Sequence, residues 1–107
     1  MNLKQVGYNF LRRYSMEMFV FTGIIWKEGN KYSALCPELD VALQGETAAK
    51  ARKNLLEAAT LHLEGSFEDG LPCLRPIPSS EDPRNSFPAE SLEVFKFKVD
   101  VAIKAYA

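Results

Sequence analysis

The 107-residue sequence predicts a single α+β domain, and three observations carry that expectation. An apolar, β-branched hairpin comes first, an amphipathic helix follows with no slack, and a strictly alternating strand lies near the end. Strands grouped ahead of a helix are the pattern of α+β packing. Residues 16–107 are expected to form this one domain, with 1–15 as an N-terminal extension and a proline-rich loop at 66–91.

Residues 1–15 place Leu3, Val6, Phe10, Leu11 and Tyr14 at loose helical spacing, with Lys4, Arg12 and Arg13 between them. A weakly docked helix is favoured over a basic arm. From Met18 to Trp26 the run MFVFTGIIW has the aromatic and β-branched composition of a strand. It is apolar on both faces, so each face needs a cover. Gly29-Asn30 suits a two-residue hairpin turn, which pairs Ile25 with Ala34 and Ile24 with Leu35. Pro37 cannot donate to a ladder and ends the returning strand. A short third strand, Val41 to Gln44, leads to Gly45.

Thr47 is the expected N-cap of the helix, with Glu46 beside the positive end of its dipole. Gly65 is the expected stop. At about 100° per residue, Ala48, Ala49, Ala51, Leu55, Leu56, Ala58, Ala59 and Leu63 are expected to share one broad face. Lys50, Lys53, Asn54, Glu57, Thr60 and Glu64 take the other, where Leu61 is a misfit. Pro72, Pro76, Pro78, Pro83 and Pro88 then forbid a regular helix or central strand. In LEVFKFKVDVAIK, Phe95, Phe97, Val99, Val101 and Ile103 alternate with Lys96, Lys98, Asp100 and Lys104, a strand with one buried face.

Composition narrows the function classes. With 47% hydrophobic and 25% charged residues the chain is ordinary globular material. Thirteen basic residues against fourteen acidic ones disfavour phosphate-driven nucleic-acid binding. No stretch reaches the roughly 18 apolar residues of a membrane span. Arg12-Arg13 precedes hydrophobics, but Glu17 interrupts the run and no small-residue cleavage site follows, so a cytoplasmic protein is expected. Cys36 and Cys73 form no CxxC or CxH pair, which points to two free thiols and neither a metal site nor a cofactor.

Candidate chemistry is sparse. His62 falls on the apolar helix face and reads as a semi-buried packing residue. A Cys36–His62 nucleophilic pair is conceivable because strand and helix pack together, but no third residue orients it. Glu38 and Asp40 lie two apart on a corner expected to be too exposed to raise a carboxyl pKa. Lys50, Arg52 and Lys53 read as a solvated helix face, and Trp26 as packing. No catalytic or metal-ligating set can be assembled.

Tyr32-x-Ala34-x-x-Pro37-Glu38-Leu39, then Gln44-Gly45-Glu46-Thr47, then Ala51-x-x-Asn54-Leu55-x-Glu57-Ala58-x-x-Leu61-x-Leu63-Glu64, resembles the HicB family of antitoxin-like domains. The resemblance covers about residues 18–65, and the final strand suits the same fold. It implies a small antiparallel sheet of three to four strands packed on one main helix, a degenerate ribonuclease H-like arrangement. It also implies a non-enzymatic, protein-binding role: such antitoxins cover the active surface of HicA, a small messenger-RNA-cleaving toxin. Pro37, Glu38, Leu39, Asp40 and Leu61 are the expected partner-binding residues. Only four residues follow Ile103, too few for the DNA-binding module that many relatives carry, so the resemblance is expected to extend to the partner-binding domain alone. Two other functions stay open: a weak nucleic-acid-binding regulator using Lys96, Lys98 and Lys104, and a small enzyme using Cys36 and His62.

One further expectation concerns self-association. Phe19, Phe21 and Ile25 would form an uncovered apolar face, since one helix covers one side of a small sheet. A homodimer or higher even oligomer would cover it.

Overall fold

Strand β1 (Val20–Glu28) and strand β2 (Lys31–Cys36) form the expected hairpin around Gly29-Asn30. In this computed structural model, which describes residues 20–99, the register sets Ile24 against Leu35 and Ile25 against Ala34, as the turn requires. Strand β3 (Val41–Gly45) pairs with β2, and strand β4 (Leu92–Lys98) pairs with β1. The result is one antiparallel sheet in the order β3-β2-β1-β4. The sequence positions 100–103, expected to continue the last strand, and Phe19 lie outside the described residues.

Helix α1 spans Ala48–Asp69, capped at its start by Thr47, whose hydroxyl accepts the Lys50 amide at 3.1 Å. The helix passes through Gly65, a correction to the expected stop. An interior glycine costs only about 1 kcal/mol relative to alanine, and Ser66 beyond it is buried and packs inward. Termination comes instead at Gly70, whose φ of 66° lies in the left-handed region that favours glycine. The Leu71 amide then returns to the Ser66 carbonyl at 2.9 Å, closing the helix end.

The helix lies across β3 and β2 and reaches β1. Its buried stripe of Ala51, Leu55, Ala59 and Leu63 meets Phe21, Ile25, Ala34, Cys36 and Phe97 of the sheet, with Leu39 between the layers. Small residues set the close approach. A Cβ on Gly45 would stand 2.4 Å from the Ala51 backbone nitrogen, so only glycine lets the helix begin directly over the end of β3. On the same face, at the β4 edge, Arg52 lies over the Phe95 ring, 4.1 Å from its centroid, and reaches Glu93 at 3.6 Å. Each fully buried leucine contributes roughly 1.5–3 kcal/mol of transfer free energy, which makes this single layer the main source of stability.

Residues on the other face of β1 alternate with these: Thr22, Ile24 and Trp26. Here the structure corrects the self-association argument. Phe21 and Ile25 are 1% and 3% exposed and lie in the core beneath α1, not on an uncovered face. Ile24 and Leu35, on the opposite side, are also buried. The proline-rich segment reaches this face at Trp26, on which Phe87 stacks. It comes back past the corner, with the Arg75 and Ile77 amides donating to the carbonyls of Glu38 and Pro37, both at 3.0 Å. Three single-turn 3-10 helices come next (Ser79–Glu81, Pro83–Asn85, Ala89–Ser91), with Pro83 buried and Phe87 stacked on Trp26 at 6.2 Å. A stretch expected to be a plain extended loop is thus tethered, because its amides find acceptors at the corner and its apolar groups find the sheet.

Candidate functional site: the corner between the second and third strands

Proline begins the corner. Continuing the β1–β2 register two residues beyond Ile24 and Leu35 would set Thr22 opposite Pro37, which has no amide to give. The chain therefore leaves the ladder. The Leu39 amide closes a turn onto the Cys36 carbonyl at 3.2 Å, and Asp40 takes a φ of 53°, a conformation aspartate tolerates better than most residues.

Glu38 repairs the interrupted ladder. Its carboxylate accepts the Thr22 backbone amide at 3.0 Å and the Thr22 hydroxyl at 2.7 Å. The ammonium of Lys96, on β4, donates to the same hydroxyl oxygen at 2.6 Å. The Cys36 thiol approaches Glu38 Oε1 at 3.6 Å. Partial burial is the largest single effect and pushes the Glu38 carboxyl upward, yet its hydrogen bonds, led by the two from Thr22, together outweigh it and hold the pKa below its ordinary value. Burial, then the adjacent Glu38 charge, pushes the Cys36 thiol up to about 12. Such a thiol is not a nucleophile near neutral pH.

A second ionic pair holds the neighbouring segment. Arg84 grips Asp82 through Nε and Nη2, at 3.0 Å and 2.6 Å. The hydrogen bonds from Arg84, against a smaller opposing effect of burial, hold the Asp82 carboxyl below its usual range. Glu38 adds a weaker electrostatic pull on Arg84, so the two acid–base groups share one region.

The five expected partner-binding residues divide. Pro37 is buried, and Leu39 is fully buried in the core. Glu38 is half-buried and satisfied from within the chain, which corrects its reading as an exposed acid. Asp40 is exposed at the corner, and Leu61 is 68% exposed on the outer face of α1. The proposed Cys36–His62 pair does not form: Cys36 points to Glu38, whereas His62 Nε2 donates to the Cys73 carbonyl at 2.9 Å. Two surface depressions, of about 220 and 430 Å³, flank Trp26 and include neither Cys36 nor His62. Among the described residues, no group of three or more His, Cys, Asp or Glu is placed to hold a metal ion. Both cysteines are free.

Sequence reasoning missed Thr22 and Lys96 as the partners of Glu38. The signal was present in one respect, since Thr22 is the polar interruption of MFVFTGIIW and stands in register with Pro37. Nothing in the sequence marks Lys96 apart from Lys98. Asp82 and Arg84 sit in a proline-rich stretch whose path depends on the sheet.

No helix among the described residues is long and apolar enough to cross a membrane. No family model matches the sequence, and the curated proteins provide no match. The structure, however, is similar to a chain of the solved HicA3 and HicB3 toxin–antitoxin complex, with a TM-score of 0.52 and 24% identity, over 76% of this chain and 98% of that one. The chain has the HicB-like α+β fold, a four-stranded antiparallel sheet packed on one long helix.

Proposed function

We propose that this chain is a HicB-like antitoxin-type protein-binding domain, which neutralises a small HicA-like messenger-RNA-cleaving toxin by covering its active surface. The observation that carries the reading is the structural similarity over 98% of a chain taken from a toxin–antitoxin complex. A non-enzymatic role agrees with the separation of Cys36 from His62 and with the raised thiol pKa. The polar groups at the corner are engaged in holding strands together, which leaves Asp40 as the exposed side chain there.

The test is co-expression with the product of a neighbouring toxin-like gene. A stable complex and loss of RNA cleavage are expected, with weaker inhibition for Asp40→Arg. Separate elution of the two proteins and undiminished cleavage would refute the reading.

A further inference from the structure

The outward face of α1 carries charge in an order that helix stability does not favour. Taking Leu55 as the centre of the buried side, positions 50, 53, 57, 61, 64 and 68 fall within a sector of about 80° on the far side, at 100° per residue. They read Lys50, Lys53, Glu57, Leu61, Glu64 and Glu68, and every one is exposed. The helix dipole favours acids near the first turn and bases near the last. This helix has no acid in its first turn and no base in its last. Among the described residues Lys53, Glu57, Glu64 and Glu68 form no ion pair, and Lys50 has only a 3.6 Å contact with Glu46 between two exposed side chains. Such a surface pair is readily exchanged.

The stripe is complementary to itself. Antiparallel apposition about a two-fold axis at the level of residues 58 and 59 brings Lys50 against Glu68 of the second copy. It also brings Lys53 against Glu64 and Glu57 beside Leu61. The two Leu61 residues then sit about 7.5 Å apart along the helix direction, at 1.5 Å per residue. Their side chains lean toward each helix N-terminus, hence toward the axis and each other. Both helix dipoles run antiparallel, and each misplaced charge gains an opposite partner. A uniformly basic partner would meet two lysines at one end of the stripe, and a uniformly acidic one would meet three glutamates. The occupant that matches both the basic and the acidic end of the stripe is another copy of this chain.

We propose that this chain self-associates through the outer face of α1, as an isologous antiparallel helix pair whose two-fold axis lies at residues 58 and 59, with the two Leu61 side chains flanking it. The inference is independent of the toxin-binding reading. A single leucine and flanking ion pairs make a small interface, so the dimer is weak and salt-sensitive.

Sedimentation or light scattering of the full chain tests it. At protein concentrations up to about 1 mM, the weak-complex range, the average mass should rise toward twice the monomer in about 0.01 M salt and fall back in about 1 M salt. Two double variants sharpen the test: Lys50→Glu with Lys53→Glu, and Glu64→Lys with Glu68→Lys. Each alone carries a stripe nearly all of one sign and should remain monomeric, whereas an equimolar mixture should form heterodimers tighter than the wild-type pair. Both variants also place charge as the helix dipole prefers, so their denaturation midpoints should rise, which separates lost association from lost folding. A wild-type mass that stays monomeric at low salt, or a mixture that fails to associate, would overturn the proposal.

Discussion

The carboxylate of Glu38 receives both the amide and the hydroxyl of Thr22, at 3.0 and 2.7 Å, where the ladder partner would have been Pro37. One side chain thereby closes the gap that a proline opens. Thr22 is 1% exposed, so its amide has no water to fall back on. Glu38→Ala should lower stability by about 1–3 kcal/mol, the cost of leaving a buried donor unsatisfied. Urea denaturation checks this, and an unchanged midpoint would show that the corner holds without the carboxylate.

The same contact makes stability depend on pH in a defined direction. The folded-state pKa of Glu38 lies below its ordinary 4.5, so the charged form favours folding. That contribution is complete above about pH 4.5 and is lost as pH falls through the depressed folded value. Asp82, held low chiefly by the hydrogen bonds from Arg84, acts in the same sense below its ordinary 3.8. Urea midpoints should therefore fall between about pH 5 and pH 2, and Glu38→Gln should flatten the upper part of that decline. A variant as acid-sensitive as the wild type would assign the effect elsewhere.

Alkylation should distinguish the two thiols. Cys36 is fully buried and its pKa is pushed up to about 12, while Cys73 is partly exposed. In the folded protein at neutral pH, iodoacetamide should label Cys73 and spare Cys36, and denaturant should make both reactive. Mass spectrometry of peptides reads the outcome. Rapid labelling of Cys36 in the native state would reopen a nucleophilic role.

Gly45 sets the distance between β3 and the start of α1. An added Cβ would meet Ala51 N at 2.4 Å and its Cα at 2.8 Å, both backbone atoms that cannot swing aside. Gly45→Ala should cost about 1–3 kcal/mol, as overpacking does elsewhere, with the loss visible in thermal or urea melts. A stability equal to the wild type would mean that the helix start shifts freely.

Local chemistry made much of the architecture legible. Gly29-Asn30 dictates a two-residue turn, and the turn dictates the register of Ile24 with Leu35. Thr47 marks the helix start because its hydroxyl has one orphan amide within reach. These features depend on neighbours a few residues apart, so the amino-acid order alone determined them. Gly65 shows the limit. Whether an interior glycine ends a helix depends on how the next residues pack, and Ser66 finds a buried site only once the helix lies on the sheet.

Long-range contacts decided the rest. Alternation alone put Phe21 and Ile25 on one side of β1 and Ile24 on the other, but it could not say which side α1 covers. The helix lies on the Phe21 side, while the proline-rich segment is tied to the corner through the Arg75 and Ile77 amides and meets the opposite face where Phe87 stacks on Trp26. Likewise Leu39 and Glu38 look alike from the sequence as members of an exposed corner. Only the packed structure turns one into core and the other into a strand clasp, because burial and hydrogen-bond partners are properties of what the rest of the chain brings alongside.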